Sequence, residues 1–435
     1  MERTFAIINA RIVSHKEIIL GNVLMVDGKI TEIGNVKIGG DVERIDIKGK
    51  YLLPGLVDPH VHFRTPGNPE KEDWITGSRA ALAGGVTTVI DMPNTKPPTI
   101  DASSLALKRA MVSKTAMVNF GFFAGATNDN VEVVKAMKGI AGVKIFMGSS
   151  TGSLLVDDKA ALEKYMQSGL ICALHAEDEG CIKEAQAKYE GREDAAVHSL
   201  ARPPECAAKA VKQALTLAKK YGTDVHICHA STKAELDVIR EFKNEHVSVE
   251  VTPHHLFLNT SNYDEYGNVI KVNPPIRDAS DQAALWEGIK DGTVTMIGTD
   301  HAPHLMKEKE LPYSQAPSGL PGVQTSLPLM LSAVNQGKLT LEKVVELTSY
   351  NPARRFGIKG KGIIEVGADA DLVVVDLEME EKVCHNFLWT KVNWSPFHGW
   401  RLTGWPIMTF LNGELAYEWR DTFHTIRGRE VVFDR

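Results

Sequence analysis

Residues 54–64 read Pro54-Gly55-Leu56-Val57-Asp58-Pro59-His60-Val61-His62-Phe63-Arg64, an apolar strand that ends in two histidines two positions apart. Side chains alternate across a strand, so His60 and His62 share one side and can grip one ion between them. A plainer reading stands beside this one, because a His-x-His pair at a strand end can also be satisfied by ordinary hydrogen bonds. The rest of the chain decides between them, through the residue types that recur at the ends of later apolar runs.

Those runs alternate with helix-like segments, the pattern of a parallel β/α fold. Candidate strands are Leu56 to His62, Thr87 to Asp91, Asn119 to Ala124, Gly142 to Phe146, Ile171 to His175, Asp224 to His229, Ser248 to Thr252 and Thr295 to Asp300. Helical periodicity falls between them, in Trp74 to Ala83, Ser103 to Ser113, Val131 to Met137, Ala160 to Gln167, Pro204 to Tyr221, Lys233 to Asn244 and Ser280 to Asp291. Eight strands with intervening helices predict an α/β fold of the (β/α)8 TIM-barrel type, with its active site at the C-terminal ends of the strands.

Both chain ends have a different texture. Short strands and turn signals such as Asp27-Gly28 and Asn412-Gly413 predict β-rich termini. We expect residues 1–53 plus 362–435 to form a small composite β-sandwich domain, with the barrel, residues 54–361, inserted between its halves.

A chain of 435 residues can bury a large core, and its formal charge of -6 shows no basic excess. That argues against a nucleic-acid or membrane-surface partner held by charge, and leaves a small-molecule substrate. The start has no apolar stretch long enough for a signal peptide, and no run approaches the length of a membrane span. The five cysteines, Cys172, Cys181, Cys206, Cys228 and Cys384, show no CxxC spacing, so neither a disulfide framework nor a thiolate zinc site is expected. The expected compartment is the reducing cytoplasm.

Polar residues at the strand ends carry the chemistry. The first strand ends in His60 and His62, the fourth contains Lys144, the fifth ends at His175, the sixth at His229 and the eighth at Asp300. Any one of them could be a solvated or salt-bridged residue; their recurrence over five strands points to metal. Two divalent ions fit the count, one on His60, His62 and Asp300 and another on His175 and His229, with zinc or another divalent transition ion suited to this donor set. Lys144 is the odd member. Its amine can add carbon dioxide to become an anionic carbamate that bridges two metals, or it can simply pair with Asp300 or another carboxylate. A hydroxide shared by two such ions would be a nucleophile near neutral pH, and Asp300 could pass its proton to a leaving group. That is hydrolysis of an amide or ester.

At this point the chain resembles the amidohydrolase superfamily and, among its cyclic-amide hydrolases, the class I dihydroorotases. The matching segments are Pro54 to Pro66, Asp91-Met92-Pro93-Asn94-Thr95, His175-Ala176-Glu177-Asp178 and Cys228 to Lys233, continuing through Glu250 to Leu256, Asn273 to Arg277 and Gly298 to His304. The resemblance implies a binuclear zinc site from His60, His62, His175, His229 and Asp300, with Asp300 as acid-base catalyst. It implies a substrate carboxylate held by Arg64 and Asn94, helped by Asn273, His304 and the backbone around Pro321 and Gly322. The reaction implied is the reversible hydrolysis of L-dihydroorotate to N-carbamoyl-L-aspartate in pyrimidine synthesis, and the assembly implied is a homodimer.

One departure bears on the bridge. Many class I relatives follow the fourth-strand lysine with an aspartate pair, whereas here Met147 precedes Gly148-Ser149-Ser150. That leaves Lys144, N6-carboxylated, as the natural bridging ligand, as in hydantoinases and allantoinases. The rival readings are therefore an allantoinase or dihydropyrimidinase acting on a neutral ring, and a non-catalytic scaffold of the same fold. His254, His255 and His301 read as partners that orient ligands, Gly84-Gly85 as a helix-ending turn, and residues 307–310 as a solvated loop.

Overall fold

The computed structural model describes residues 4–40, 42–150, 154–420 and 422–434. The first three residues of the N-terminal stretch lie outside that set.

Eight parallel strands form the barrel: Leu56–Val61, Val86–Asp91, Asn119–Phe122 continuing in Ala124–Gly125, Val143–Phe146, Cys172–His175, Val225–Ile227, Val247–Val251 and Met296–Ile297. Each neighbouring pair is parallel, and a parallel bridge between Val61 and His301 closes the ring. The seam carries more than that bridge. The His62 N–H donates to the His301 carbonyl at 2.8 Å, and the Asp58 carboxylate accepts from both the backbone N–H and the hydroxyl of Thr299, at 3.1 and 2.5 Å. The sequence-based strands agree to within a few residues; the eighth is shorter than expected because residues 298–300 turn out of the ladder to meet the seam.

The helices follow local rules. Trp74–Ala83 begins at Asp73, whose carboxylate accepts from Ile75 and Thr76 N–H, with Thr76 returning the bond. It ends at Gly84-Gly85, where Gly85 takes φ +79° and a side chain on Gly84 would meet the Val323 carbonyl at 2.6 Å. The amphipathic Pro204–Tyr221 opens with proline in its first turn and stops at left-handed Gly222.

The termini combine in one nine-stranded sheet, built from five strands before residue 55 and four after residue 371. Phe5 and Phe410 stand three strands apart in its order, about 14 Å in a flat sheet, yet their ring centroids are 5.7 Å apart. The sheet therefore folds over on itself into a sandwich, around a core of Phe5, Ile7, Val23, Met25, Leu52, Val374 and Phe410. The last residues leave that sheet. Phe120 N–H donates to Arg429 O, Val431 N–H donates to Phe120 O, and Val431 and Phe433 pack into the barrel interior with Phe123, Phe356 and Ile358.

One sequence expectation is corrected. Cys181, on helix Glu179–Ala187, and Cys206, near the start of Pro204–Tyr221, form a disulfide with Cα atoms 5.4 Å apart. Spacing gave no sign of it because helix packing brings the pair together. Among the described residues, no helix is long and apolar enough to cross a membrane.

Behind the site, Lys108 and Asp91 form a fully buried pair at 2.5 Å. Asp91 also accepts the Phe63 N–H at 2.8 Å, and Lys108 donates to the Met92 carbonyl at 3.0 Å, so the pair ties the ends of the first two strands together. Removing one partner leaves the other charge buried alone, at a cost of about 3–5 kcal/mol. Lys108→Met is therefore expected to lower the apparent unfolding free energy by about that much in a denaturant titration; a near-neutral result would contradict the role given to the pair.

Candidate active site at the strand ends

His60, His62, Arg64, Asn94, Lys144, His175, His229, Asn273 and Asp300 line one pocket at the C-terminal end of the barrel, with Phe146, Ser150, Ala302, Ser318 and Gly319. Three of these residues hold left-handed backbones: Arg64 at φ +57°, His229 at +36° and Asp300 at +45°. Such conformations cost about 1–3 kcal/mol each in a non-glycine residue and persist where surrounding structure enforces them, typically at functional sites. A roomier groove at the other end of the barrel, lined by Lys243, Thr293 and Arg354, contains none of these residues.

Partners on one ring nitrogen fix what the other presents. His60 Nδ1 lies 2.8 Å from Glu250 Oε1, and His62 Nδ1 lies 2.7 Å from Asn94 Oδ1. Both partner atoms are acceptors, so each Nδ1 carries the hydrogen and each Nε2 faces inward. The two Nε2 atoms converge on Asp300 Oδ1, at 3.3 and 3.0 Å. Two ring nitrogens and a carboxylate oxygen converging on one point are suited to sharing a cation. The three side chains form the only potential three-ligand metal cluster of His, Cys, Asp or Glu among the described residues.

The ionisation of the group carries the same message. Burial alone would lower the pKa of His60, but the Glu250 and Asp300 carboxylates outweigh it and bring it to about 10, despite the opposing charge of Lys144. Burial dominates at His62 and takes it down to about 4. Burial would raise the pKa of Asp300, yet His60 and His62 hold it well below the usual carboxylate range. Positive charge is thus favoured at His60 and disfavoured at His62, on either side of Asp300.

The second half of the cluster faces the first. His175 Nδ1 and His229 Nε2 point at each other across 3.1 Å, and the opposite nitrogen of His175 lies 3.0 Å from Glu177 Oε2. Glu177 is in turn gripped by Arg202 at 2.5 Å, and burial is overcome by that arginine and His175, so its carboxylate stays ionised. Lys144 is fully buried, and its Nζ has no hydrogen-bond partner and, among the described residues, no salt bridge. The pairing with Asp300 weighed for it is absent. A buried ammonium without an acceptor is expensive, and an amine in that setting fits conversion to an anionic ligand. The donor set and this orphaned nitrogen together suit divalent metal.

The predicted substrate contacts are only partly assembled here. Arg64 is buried, with Nε donating to the Pro303 carbonyl at 3.2 Å and Nη2 lying 3.1 Å from His304 Nε2. No carboxylate stands within 4.0 Å of its guanidinium among the described residues, and burial drops its pKa to about 10. Asn94 and Asn273 reach the pocket, and His304 lies behind Arg64. Pro321 and Gly322 line a separate small cavity beyond His301, and the Gly322 N–H is spent on His301 Nδ1 at 3.1 Å. His301 Nε2 donates to Glu72, so this histidine ties the 320–323 loop to the barrel. His255 does similar work on the Pro274 carbonyl, at 3.1 Å.

Sequence reasoning passed over the carboxylates. Glu250, on Val247–Val251, is fully buried and also accepts the His229 N–H at 3.0 Å. Its signal was legible: with Ser248 it places polar residues at alternate positions of an otherwise apolar strand. Glu177 had no comparable signal.

The chain belongs to the amidohydrolase family, whose profile matches residues 51–416, and is thus an enzyme of that metal-dependent class. Among its relatives, a protein of Methanosarcina mazei named dihydroorotase is 41% identical over 426 residues, covering 94% of this chain and 93% of the relative. Another dihydroorotase, of Pyrococcus abyssi, is 41% identical over 416 residues and 95% of each chain. Among solved structures, the L-hydantoinase (dihydropyrimidinase) of Arthrobacter aurescens superposes with a TM-score of 0.94 at 30% identity, over 98% of this chain and 99% of that one.

Glu250→Gln keeps the shape but weakens the hold on His60. A lost ligand partner of this kind typically costs 10–100-fold in metal affinity, and about that loss is expected in competition with a chromophoric chelator. Unchanged affinity would show that Glu250 serves only the fold.

Proposed function

We propose that the chain is a dihydroorotase that hydrolyses L-dihydroorotate reversibly to N-carbamoyl-L-aspartate. The observation that carries this reading is Arg64: a buried guanidinium with no carboxylate partner among the described residues, on the rim of a metal-type cluster. An arginine fork matches a carboxylate in two parallel bonds. Dihydroorotate carries a ring carboxylate, whereas hydantoin, allantoin and dihydrouracil do not. The dihydroorotase names of relatives about 40% identical over nearly the whole chain support the same choice.

His60, His62 and Asp300 would hold one divalent ion, His175 and His229 a second, and Lys144, N6-carboxylated, would bridge them. Zinc is the metal this nitrogen-oxygen set favours. Bound divalent ions supply a nucleophile from water at neutral pH and polarise a carbonyl. The chain's own residues do the rest. Arg64 and Asn94 anchor the carboxylate with help from Asn273, which sets the ring amide against the ligand cluster. Asp300, kept ionised, takes up the proton released from water and returns it to the ring nitrogen as the carbon–nitrogen bond breaks. His304, next to Arg64, steadies that fork.

Two outcomes are expected. Arg64→Met should lower kcat/KM on L-dihydroorotate by about a hundredfold or more, the scale of losing a buried charge pair, with metal content unchanged. Faster wild-type turnover of hydantoin or dihydrouracil than of dihydroorotate would favour the neutral-ring reading instead. Protein supplied with 13C-labelled bicarbonate should show a carbamate carbon resonance that is absent from Lys144→Ala; its absence from wild type would remove the bridge.

A further inference from the structure

The loop that follows the eighth strand is held by an unusual arrangement. Lys309, almost completely buried, donates to the carbonyls of Lys271, Pro317 and Gly319 at 2.8–3.0 Å. Lys271 donates to the carbonyls of Tyr313 and Ala316 at 2.6 and 2.7 Å, with its ammonium 4.2 Å from the centre of the Tyr313 ring. Two lysines thus gather residues 313–319 over the pocket wall that carries Ser318 and Gly319. The Ser314 N–H donates to Glu193 at 2.9 Å, which fastens the loop on its other side.

His198 joins this loop to the pocket. On the short helix Val197–Ala201, it is buried and lines no part of the pocket itself. Its Nε2 lies 2.9 Å from the Val272 carbonyl and 2.9 Å from the Asn273 side-chain oxygen, and its Nδ1 lies 3.0 Å from the Tyr313 hydroxyl. The chemistry of these partners leaves one assignment. A backbone carbonyl can only accept, so Nε2 carries the hydrogen. A donor at that place requires the Asn273 amide to turn its oxygen toward His198 and its two N–H groups toward the pocket. Nδ1 must then accept, so the Tyr313 hydroxyl donates. Burial, with Arg202 and Lys271 nearby, brings the pKa of His198 down to about 3, consistent with a neutral ring having one donor and one acceptor.

We propose that His198 is a positioning residue that fixes the Asn273 amide with its N–H groups facing the substrate and couples that orientation, through Tyr313, to closure of the 310–319 loop. Without the ring, the amide can turn over and present its oxygen to an anionic or carbonyl-bearing substrate. Without the Tyr313 hydroxyl, the acceptor on His198 is left buried and unsatisfied, and the link from the ring to the loop is lost. The helix is independently anchored, by Ser199 donating to Ile276 O at 2.6 Å and by the adjoining Arg202–Glu177 pair, so changes at His198 act on the relay more than on the fold. The substrate side of this inference rests on the dihydroorotase reading; the loop side does not.

The test is a mutant cycle on the metal-loaded enzyme using His198→Ala, Tyr313→Phe, Asn273→Ala and the His198→Ala/Asn273→Ala double variant. Each of the first two should raise KM for L-dihydroorotate about tenfold, the scale of an unmet buried hydrogen bond, with kcat changed much less. The double variant should be no worse than Asn273→Ala alone, because residues acting as a unit are not additive. Penalties that multiply would overturn the positioning role and leave a structural one. Hydrogen exchange of residues 310–319, read on the same proteins without substrate, should rise in His198→Ala and Tyr313→Phe. Unchanged exchange overturns the tie to the loop. A wild-type enzyme inert toward dihydroorotate would sink the functional reading alone, and the exchange result would still decide the coupling.

Discussion

The hydrogen bond from the His62 N–H to the His301 carbonyl closes the barrel, and the proposed metal chemistry depends on that closure. His60 and His62 belong to the first strand and Asp300 follows the last, some 240 residues later in the chain. Only when these ends join can three inner-facing polar atoms meet within ion-binding distance. The Asp58–Thr299 contacts brace the same seam one layer below. The strained backbones at Arg64 and Asp300 belong here too: each sits where a strand must turn its next side chain over the rim, and the seam holds the turn in place.

Buried carboxylates then divide the histidines by role. Glu250 reaches His60 and His226 by its side-chain oxygens and the His229 backbone by the same group, so one residue of the seventh strand organises proposed ligands from the first and the sixth. Glu177 approaches His175 from outside, braced by Arg202. These charges would be costly in an apolar interior on their own. Each is compensated by a ring or a guanidinium, and the positive charge that the ligand cluster calls for completes the balance.

Much of this could be read from the chain, and the misses share a cause. Strand periodicity and the ligand types at strand ends placed His60, His62, Lys144, His175, His229 and Asp300 around one mouth, because a parallel barrel puts strand ends together whatever lies between them. Contacts set by loop trajectory had no such rule. Nothing in the sequence placed His198 against Asn273, put Pro321 and Gly322 behind His301, or brought Cys181 to Cys206. Glu250 falls between these cases, since its position in an apolar strand marks it as inward-facing but leaves its partner open. The texture of the termini correctly signalled a sheet shared by both chain ends, and gave no hint that the last residues would pass beyond it.

That last passage has a bearing on how the chain comes into being. Val431 and Phe433 pack at the base of the barrel beside Phe123 and Phe356, so part of that base is supplied by residues translated long after the last barrel strand. The eight strands can be translated, and can begin to associate, well before that floor exists. The packed base therefore forms only once residues 431–433 have been made, and replacing Val431 or Phe433 by alanine would leave the whole strand-end cluster in place above an unsealed base.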